Sequence, residues 1–156
     1  MNEYVDICYS GRTMQNAKQI RGAYVLHAVN HLFKTRDRIL KNNGRLHGNK
    51  ELEFRDQGFT RPKVLILLPI RSACLDVLED ILSLMPKNQR DRVQNKKKFY
   101  EEFLDATYTP LRPKLGEWLQ IFRGNTDDSF RLGLAVTKKS LNLYSVSLVV
   151  CANSRN

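Results

Sequence analysis

Apolar positions recur at helical spacing from about Ala17 to Leu40. Val25, Leu26, Val29, Leu32, Phe33, Ile39 and Leu40 fall on one side of a wheel drawn at about 100° per residue. The opposite side carries His27, His31, Lys34, Arg38, Lys41 and Arg45. Asn42-Asn43-Gly44 reads as a helix stop, which places Arg45 just beyond the regular helix. Arg36 is the one base inside the apolar sector, where its aliphatic stem is expected to snorkel. Ahead of this helix, Tyr4, Val5, Ile7, Cys8 and Tyr9 form a short β-prone run ended by Ser10-Gly11.

Residues 46–62 are polar and aperiodic, as in a connecting loop. Residues 63–69 (KVLILLP) form an uninterrupted apolar run flanked by prolines. A strand apolar on both faces belongs in the middle of a sheet covered on both sides, which implies an α/β fold. Ser72 is the expected N-cap of the next helix, whose stripe of Leu75, Leu78, Leu82 and Met85 stops at Pro86. Strand, turn and capped helix make half of a βαβ unit. A charged stretch at 86–98 leads into a short helix whose Phe99 and Phe103 dock on the body.

Residues 108–113 read as a loop, and Trp118, Leu119, Ile121 and Phe122 precede a turn signal at 124–128. Phe130, Leu132, Leu134 and Val136 alternate as in a half-buried strand, which Leu141, Leu143 and Tyr144 continue. Leu148-Val149-Val150-Cys151 is a last short strand. The expected organisation is a basic helical segment at 11–50, a strand-helix unit at 63–85, a charged insert at 86–113 and strands over 117–151.

Composition narrows the classes. A chain of 156 residues, 42% hydrophobic and 27% charged, suits one globular domain and is far from the make-up of a disordered or fibrous one. Its longest apolar run, 64–68, is far short of a membrane span, and Glu3 and Asp6 spoil any secretory signal. Cys8, Cys74 and Cys151 are scattered and contain no C-x-x-C pair, against a disulfide framework or zinc and in keeping with a reducing compartment. The expectation is a soluble intracellular chain. Its net charge of +10 is uneven: between Arg12 and Lys50 nine bases face Asp37 alone. One strongly basic quarter in a balanced chain points to a polyanion held at a defined place.

Catalytic patterns fail in turn. Gly11-Arg12-Thr13 is the nearest approach to a phosphate-binding loop, but the required upstream glycine falls on Asp6, whose carboxylate repels phosphate. Asp127-Asp128 sits in a turn, where Asp bonds locally. His27 and His31 lack both the H-E-x-x-H pattern and a third zinc ligand. No cofactor is implied. RNA binding remains: bases along about 16 Å of helix, from Lys34 to Arg45, can meet several phosphates, with His27, Asn30 and His31 adding hydrogen-bonding or stacking groups.

Residues 55–69 (RDQGFTRPKVLILLP) closely resemble a hallmark stretch of the digestive organ expansion factor family (U-three small nucleolar RNA-associated protein 25). Residues 24–43 (YVLHAVNHLFKTRDRILKNN), 122–133 (FRGNTDDSFRLG) and 143–151 (LYSVSLVVC) agree in order and spacing. The resemblance implies a partial first RecA-like lobe, P-loop NTPase-like and DEAD-box-like, with a mostly parallel sheet flanked by helices. It further implies a degenerate ATPase in a nucleolar, non-catalytic component of the small-subunit processome. Such a component acts in 18S pre-rRNA processing through the ribosomal RNA precursor, small nucleolar RNA and processome proteins, with no membrane. Pro69-Ile70-Arg71 lies where DEAD-box proteins carry an RNA-contact motif, which adds Arg71 to the RNA-binding set as a phosphate holder beside a helix N-terminus.

The end of the chain departs from the family pattern at Ser145-Val146-Ser147 and after Cys151. With the second lobe absent, a short isoform, a truncated reading frame and a shortened relative all fit. A partial lobe is also expected to leave apolar sheet surface bare. Two rival functions are a fragment of an ATP-dependent RNA helicase and a protein-docking module with Phe99, Tyr100, Phe103 and Trp118 as exposed anchors.

Overall fold

A computed structural model of the chain describes residues 3–48, 53–54, 61–104, 124–137 and 140–145. Helix α1 spans Ala17–Gly48. One turn ahead of it, the Thr13 N–H donates to Asn16 Oδ1 at 2.7 Å and the Asn16 N–H donates to Thr13 Oγ1 at 3.4 Å. This reciprocal pair has the pattern of a capping box and fixes the turn that leads into α1. The helix does not stop at Asn42-Asn43-Gly44. Nothing crowds Gly44, so glycine costs only its flexibility, about 1 kcal/mol against alanine, while Arg45 and His47 in the last turn suit the negative end of the dipole. Arg45 therefore lies on α1 itself.

Helix α2 (Arg71–Leu84) buries Cys74, Val77, Leu78, Ile81 and Leu82, and chain reversal begins at Met85. Val25 and Val29 of α1 join this cluster. Leu26 and Leu40, expected on the apolar face, are more than half exposed. Ser72 is not the cap. Its N–H donates to the Asn125 carbonyl at 2.9 Å, and that of Arg71 to the Asp127 carbonyl at 3.0 Å. The turn after Gly124, at φ +74°, thus closes the α2 N-terminus with backbone oxygens.

A four-residue helix α3 (Lys87–Arg90), a two-residue strand β1 (Val93–Gln94) and helix α4 (Lys96–Phe103) follow. Strands β2 (Leu132–Val136) and β3 (Leu141–Ser145) form an antiparallel hairpin, with Thr137 and Ser140 bonded to each other across its turn. The continuous strand expected over 130–144 is therefore two strands. β3 is central, pairing β1 in parallel on its other side. The fold is α/β, but the described sheet is small and mixed rather than mostly parallel. Leu141 and Leu143 point from β3 into the core, where Phe99 and Phe103 of α4 are each 1% exposed. That burial removes both rings from the list of docking anchors; Tyr100 is half-buried, and Trp118 lies outside the described residues.

Residues 64–68 correct the expectation of a central strand. Their exposure alternates as in an extended chain: Ile66 and Leu68 pack on the core, whereas Leu65 and Leu67 are 81% and 84% exposed. Among the described residues no strand pairs with this segment. Apolarity on both faces reports what a segment must bury, and the described sheet does not reach it. The run at 4–9 is exposed and carries no strand; the proposed strand at 148–151 and the segments 108–113 and 118–122 lie outside the described residues.

Candidate nucleic-acid interface

The bases of α1 divide by what surrounds them. Arg21 faces α2, where its Nε donates to Asp80 at 2.6 Å and its Nη1 to Asp76 at 2.8 Å. Burial disfavours its charge, but the bonds and charges of Asp80 and Asp76 outweigh burial and raise its pKa. This pair locks the two helices and sets the rotation of α1. Arg36 is half-buried, stacked over the Phe33 ring at 4.8 Å and paired with Asp37 at 3.2 Å, consistent with snorkelling.

With α1 held this way, Lys34, Arg38, Lys41 and Arg45 are all exposed. Among the described residues no carboxylate pairs with any of them. They form one cationic ridge, because i, i+4, i+7 and i+11 share a helix face.

His27 and His31 belong to the same face but a different environment. Both are half-buried and lie against Tyr4, with ring centroids at 5.1 and 5.5 Å, and the Tyr4 hydroxyl shares a hydrogen bond with His31 Nδ1 at 3.0 Å. They line an open groove of about 570 Å³ together with Tyr24, Lys63 and residues 64–68. Tyr4 holds φ +57°, a conformation in which bulky residues are uncommon. No local sequence signal announces Tyr4 or Lys63 as neighbours of this face.

Arg71 is elsewhere, inside a network of its own. Its Nη2 pairs with Asp127 at 2.9 Å and donates to the Ser129 carbonyl at 2.9 Å; its Nη1 donates to the Glu102 carbonyl at 3.1 Å and lies 3.5 Å from the Glu102 carboxylate. The guanidinium also sits 5.4 Å from the centre of the Phe103 ring. The anion expected at this helix start is the chain's own Asp127. Asp127 still makes the local bonds expected of a turn, accepting from the Ser129 N–H at 2.9 Å. No local sequence signal announces its second role as the partner of Arg71.

Burial pushes the Cys74 thiol up to about 12, so it is a core side chain and not a nucleophile. Among the described residues no three His, Cys, Asp or Glu side chains gather to hold a metal, and no helix is long and apolar enough to cross a membrane.

Comparison with known proteins matches residues 4–148 to the family described as UTP25, NTP hydrolase-like domain. The chain is 46% identical over 142 residues to the U3 small nucleolar RNA-associated protein 25 of Schizosaccharomyces japonicus, covering 91% of this chain and 22% of that protein. It is 49% identical over 148 residues to the protein of that name from Candida tropicalis, covering 91% and 20%. The Schizosaccharomyces pombe protein is 44% identical over 145 residues, covering 93% and 22%. The chain thus spans about a fifth of the length of these relatives. No solved structure matches.

Proposed function

The chain belongs to the UTP25 family, and from that premise we propose that it is a non-catalytic component of ribosome biogenesis. It assists 18S pre-rRNA processing in the nucleolar small-subunit processome through contacts with the ribosomal RNA precursor, small nucleolar RNA and processome proteins. The observation that carries this reading is the α1 ridge, four solvent-facing bases that pair with no carboxylate among the described residues. A row of uncompensated cations stabilises a bound phosphate backbone by releasing its counterions. His27 and His31, beside the ridge, offer ring faces and nitrogens to an unstacked base, and Arg71 acts from within the fold by holding α2 in place.

Affinity for structured RNA across a salt series tests the ridge. Replacing Lys34 and Arg38 together by Ala should flatten the log–log slope by nearly two units, at about 0.7 to 0.9 per lost phosphate contact. An unchanged slope removes α1 from the RNA surface.

The finer architecture follows the same premise. We read the chain as part of a first RecA-like lobe, divided into the basic helix within 11–50, the unit at 63–85, the insert at 86–113 and the strands within 117–151. Leu65 and Leu67 are then sheet positions that the remainder of a full-length relative would cover, the chain spanning about a fifth of such a relative. The absence of catalysis is supported by Asp6 at the glycine position of the phosphate loop and by Thr13, whose hydroxyl accepts from the Asn16 N–H in the turn before α1. Equilibrium titration with magnesium-ATP should show no saturation up to millimolar nucleotide. Saturation in the micromolar range would sink the non-catalytic reading.

A further inference from the structure

Residues 87–98 carry Lys87, Arg90, Arg92, Lys96, Lys97 and Lys98 against Asp91 alone. A solvated, floppy insert could tolerate such crowding by spreading out. This one cannot, because it is pinned at several points. The Gln89 side chain is buried, β1 pairs with β3, and Asn95 Nδ2 donates to the Leu143 carbonyl at 2.9 Å. Phe99 and Phe103, one and two turns on, are sunk in the core.

Within this rigid frame the charges are turned outward. Arg90 is the exception in its bonding, donating to the Ser83 and Met85 carbonyls at 2.8 and 3.2 Å. Lys87, Arg92, Lys96, Lys97 and Lys98 are exposed. The only ion pair among them in the described residues is Lys97 with Glu101, at 3.8 Å on the surface. Lys96, Lys97 and Lys98 also occupy the first turn of α4, which holds no acid. Cations there oppose the helix dipole as well as one another, so the fold maintains an arrangement that is unfavourable until an anion meets it.

We propose that this face is a second RNA-contact surface, separate from the α1 ridge, that grips the phosphate backbone without reading bases. The inference rests on the proposed attachment to RNA. The choice of backbone over base follows from the side chains. Lys87, Lys96, Lys97 and Lys98 act as point charges, the forked guanidinium of Arg90 is engaged by the Ser83 and Met85 carbonyls, and the nearest ring, Tyr100, is half-buried with Lys96 Nζ 5.8 Å from its centre. A stacking platform is therefore lacking among the described residues of this face, and contact here should be indifferent to sequence and steeply dependent on salt.

The test compares three variants of the chain: Lys96→Gln, Lys97→Gln and Lys98→Gln together; Lys34→Ala with Arg38→Ala; and all five. Each is titrated against a short RNA duplex, a single strand of equal length and polyglutamate over a salt series, with thermal melting to verify folding. Neutralising the three lysines should flatten the RNA slope by about 2 to 2.7 units, independent of RNA sequence, while leaving the melting midpoint equal or slightly higher. The five-fold variant should show the sum of both losses. If only the lysine variant flattens the slope, this inference stands and the α1 ridge falls. If only the α1 variant does, or if polyglutamate binds and RNA does not, the second surface is overturned. If neither variant changes the slope, both readings fail.

Discussion

Replacing Phe103 with Ala should destabilise the chain by about 3–5 kcal/mol, the usual cost of deleting a core aromatic and leaving its cavity. The ring is 1% exposed and stacks on Phe99 with centroids 4.3 Å apart and planes at 21°. It meets Phe130 edge-on at 5.7 Å and lies under the Arg71 guanidinium. One side chain therefore joins α4, the approach to β2 and the start of α2, and its neighbours cannot collapse into the gap independently. Typical domains have about 5–15 kcal/mol in total, so the variant should lose a large part of its stability. Urea unfolding followed by circular dichroism gives the value. Leu104→Ala, one residue on but 52% exposed, should stay within about 0.5 kcal/mol of the parent. Equal effects of the two would mean that α4 is not docked as described.

Arg71→Ala is expected to cost about 2–3 kcal/mol, somewhat less than a fully buried ion pair because Asp127 and Glu102 retain contact with water. The arginine is only 16% exposed, and its loss removes the ion-pair partner described for Asp127 and Glu102 together with donors to the Ser129 and Glu102 carbonyls, the latter still accepting from Asn125 Nδ2 at 3.3 Å. Arg71→Lys keeps the charge but not the fork, so it should fall between parent and alanine in stability. RNA binding separates the two roles that Arg71 could have. With a neutral Arg71→Gln variant shown by thermal melting to be folded, the salt slope should match that of the parent. A slope flattened by about 0.7 to 0.9 would instead place a phosphate on this side chain, as its position after 64–68 suggests from sequence.

The contrast between Arg71 and Lys34 explains how much of the interface can be read without coordinates. Both are bases at ordinary helical positions. Lys34 belongs to a series whose spacing alone puts it opposite Val25 and Val29, so its exposure follows from periodicity. Arg71 is neutralised by Asp127, which lies far along the chain and within the reach of its guanidinium only because the 124–129 turn caps α2. Arg21 behaves likewise: Asp76 and Asp80 sit on another helix, and nothing in the α1 pattern marks this base as internal while Arg38 is not. His27 and His31 are an intermediate case. The wheel places them on the basic face, but Tyr4 folds back over them, and a residue preceding the helix has no periodic relation to it.

By itself the sequence determined the α1 basic face, the buried stripe of α2, the inward pair Phe99 and Phe103, and the extended, alternating character of 132–136, while its division from 141–145 into a hairpin came from the structure. Each of these is a property of one short element, encoded as a repeat of 3.6 or 2 residues. It also carried the family, through blocks that keep their order. Tertiary structure decided which bases remain free, that α1 continues through Gly44, that β1 and β3 run parallel while β2 opposes them, and that Leu65 and Leu67 lie outside the described core. Those outcomes depend on which distant groups come within a few ångströms of one another, and a local pattern records what a segment can bury or pair, not the partner it meets.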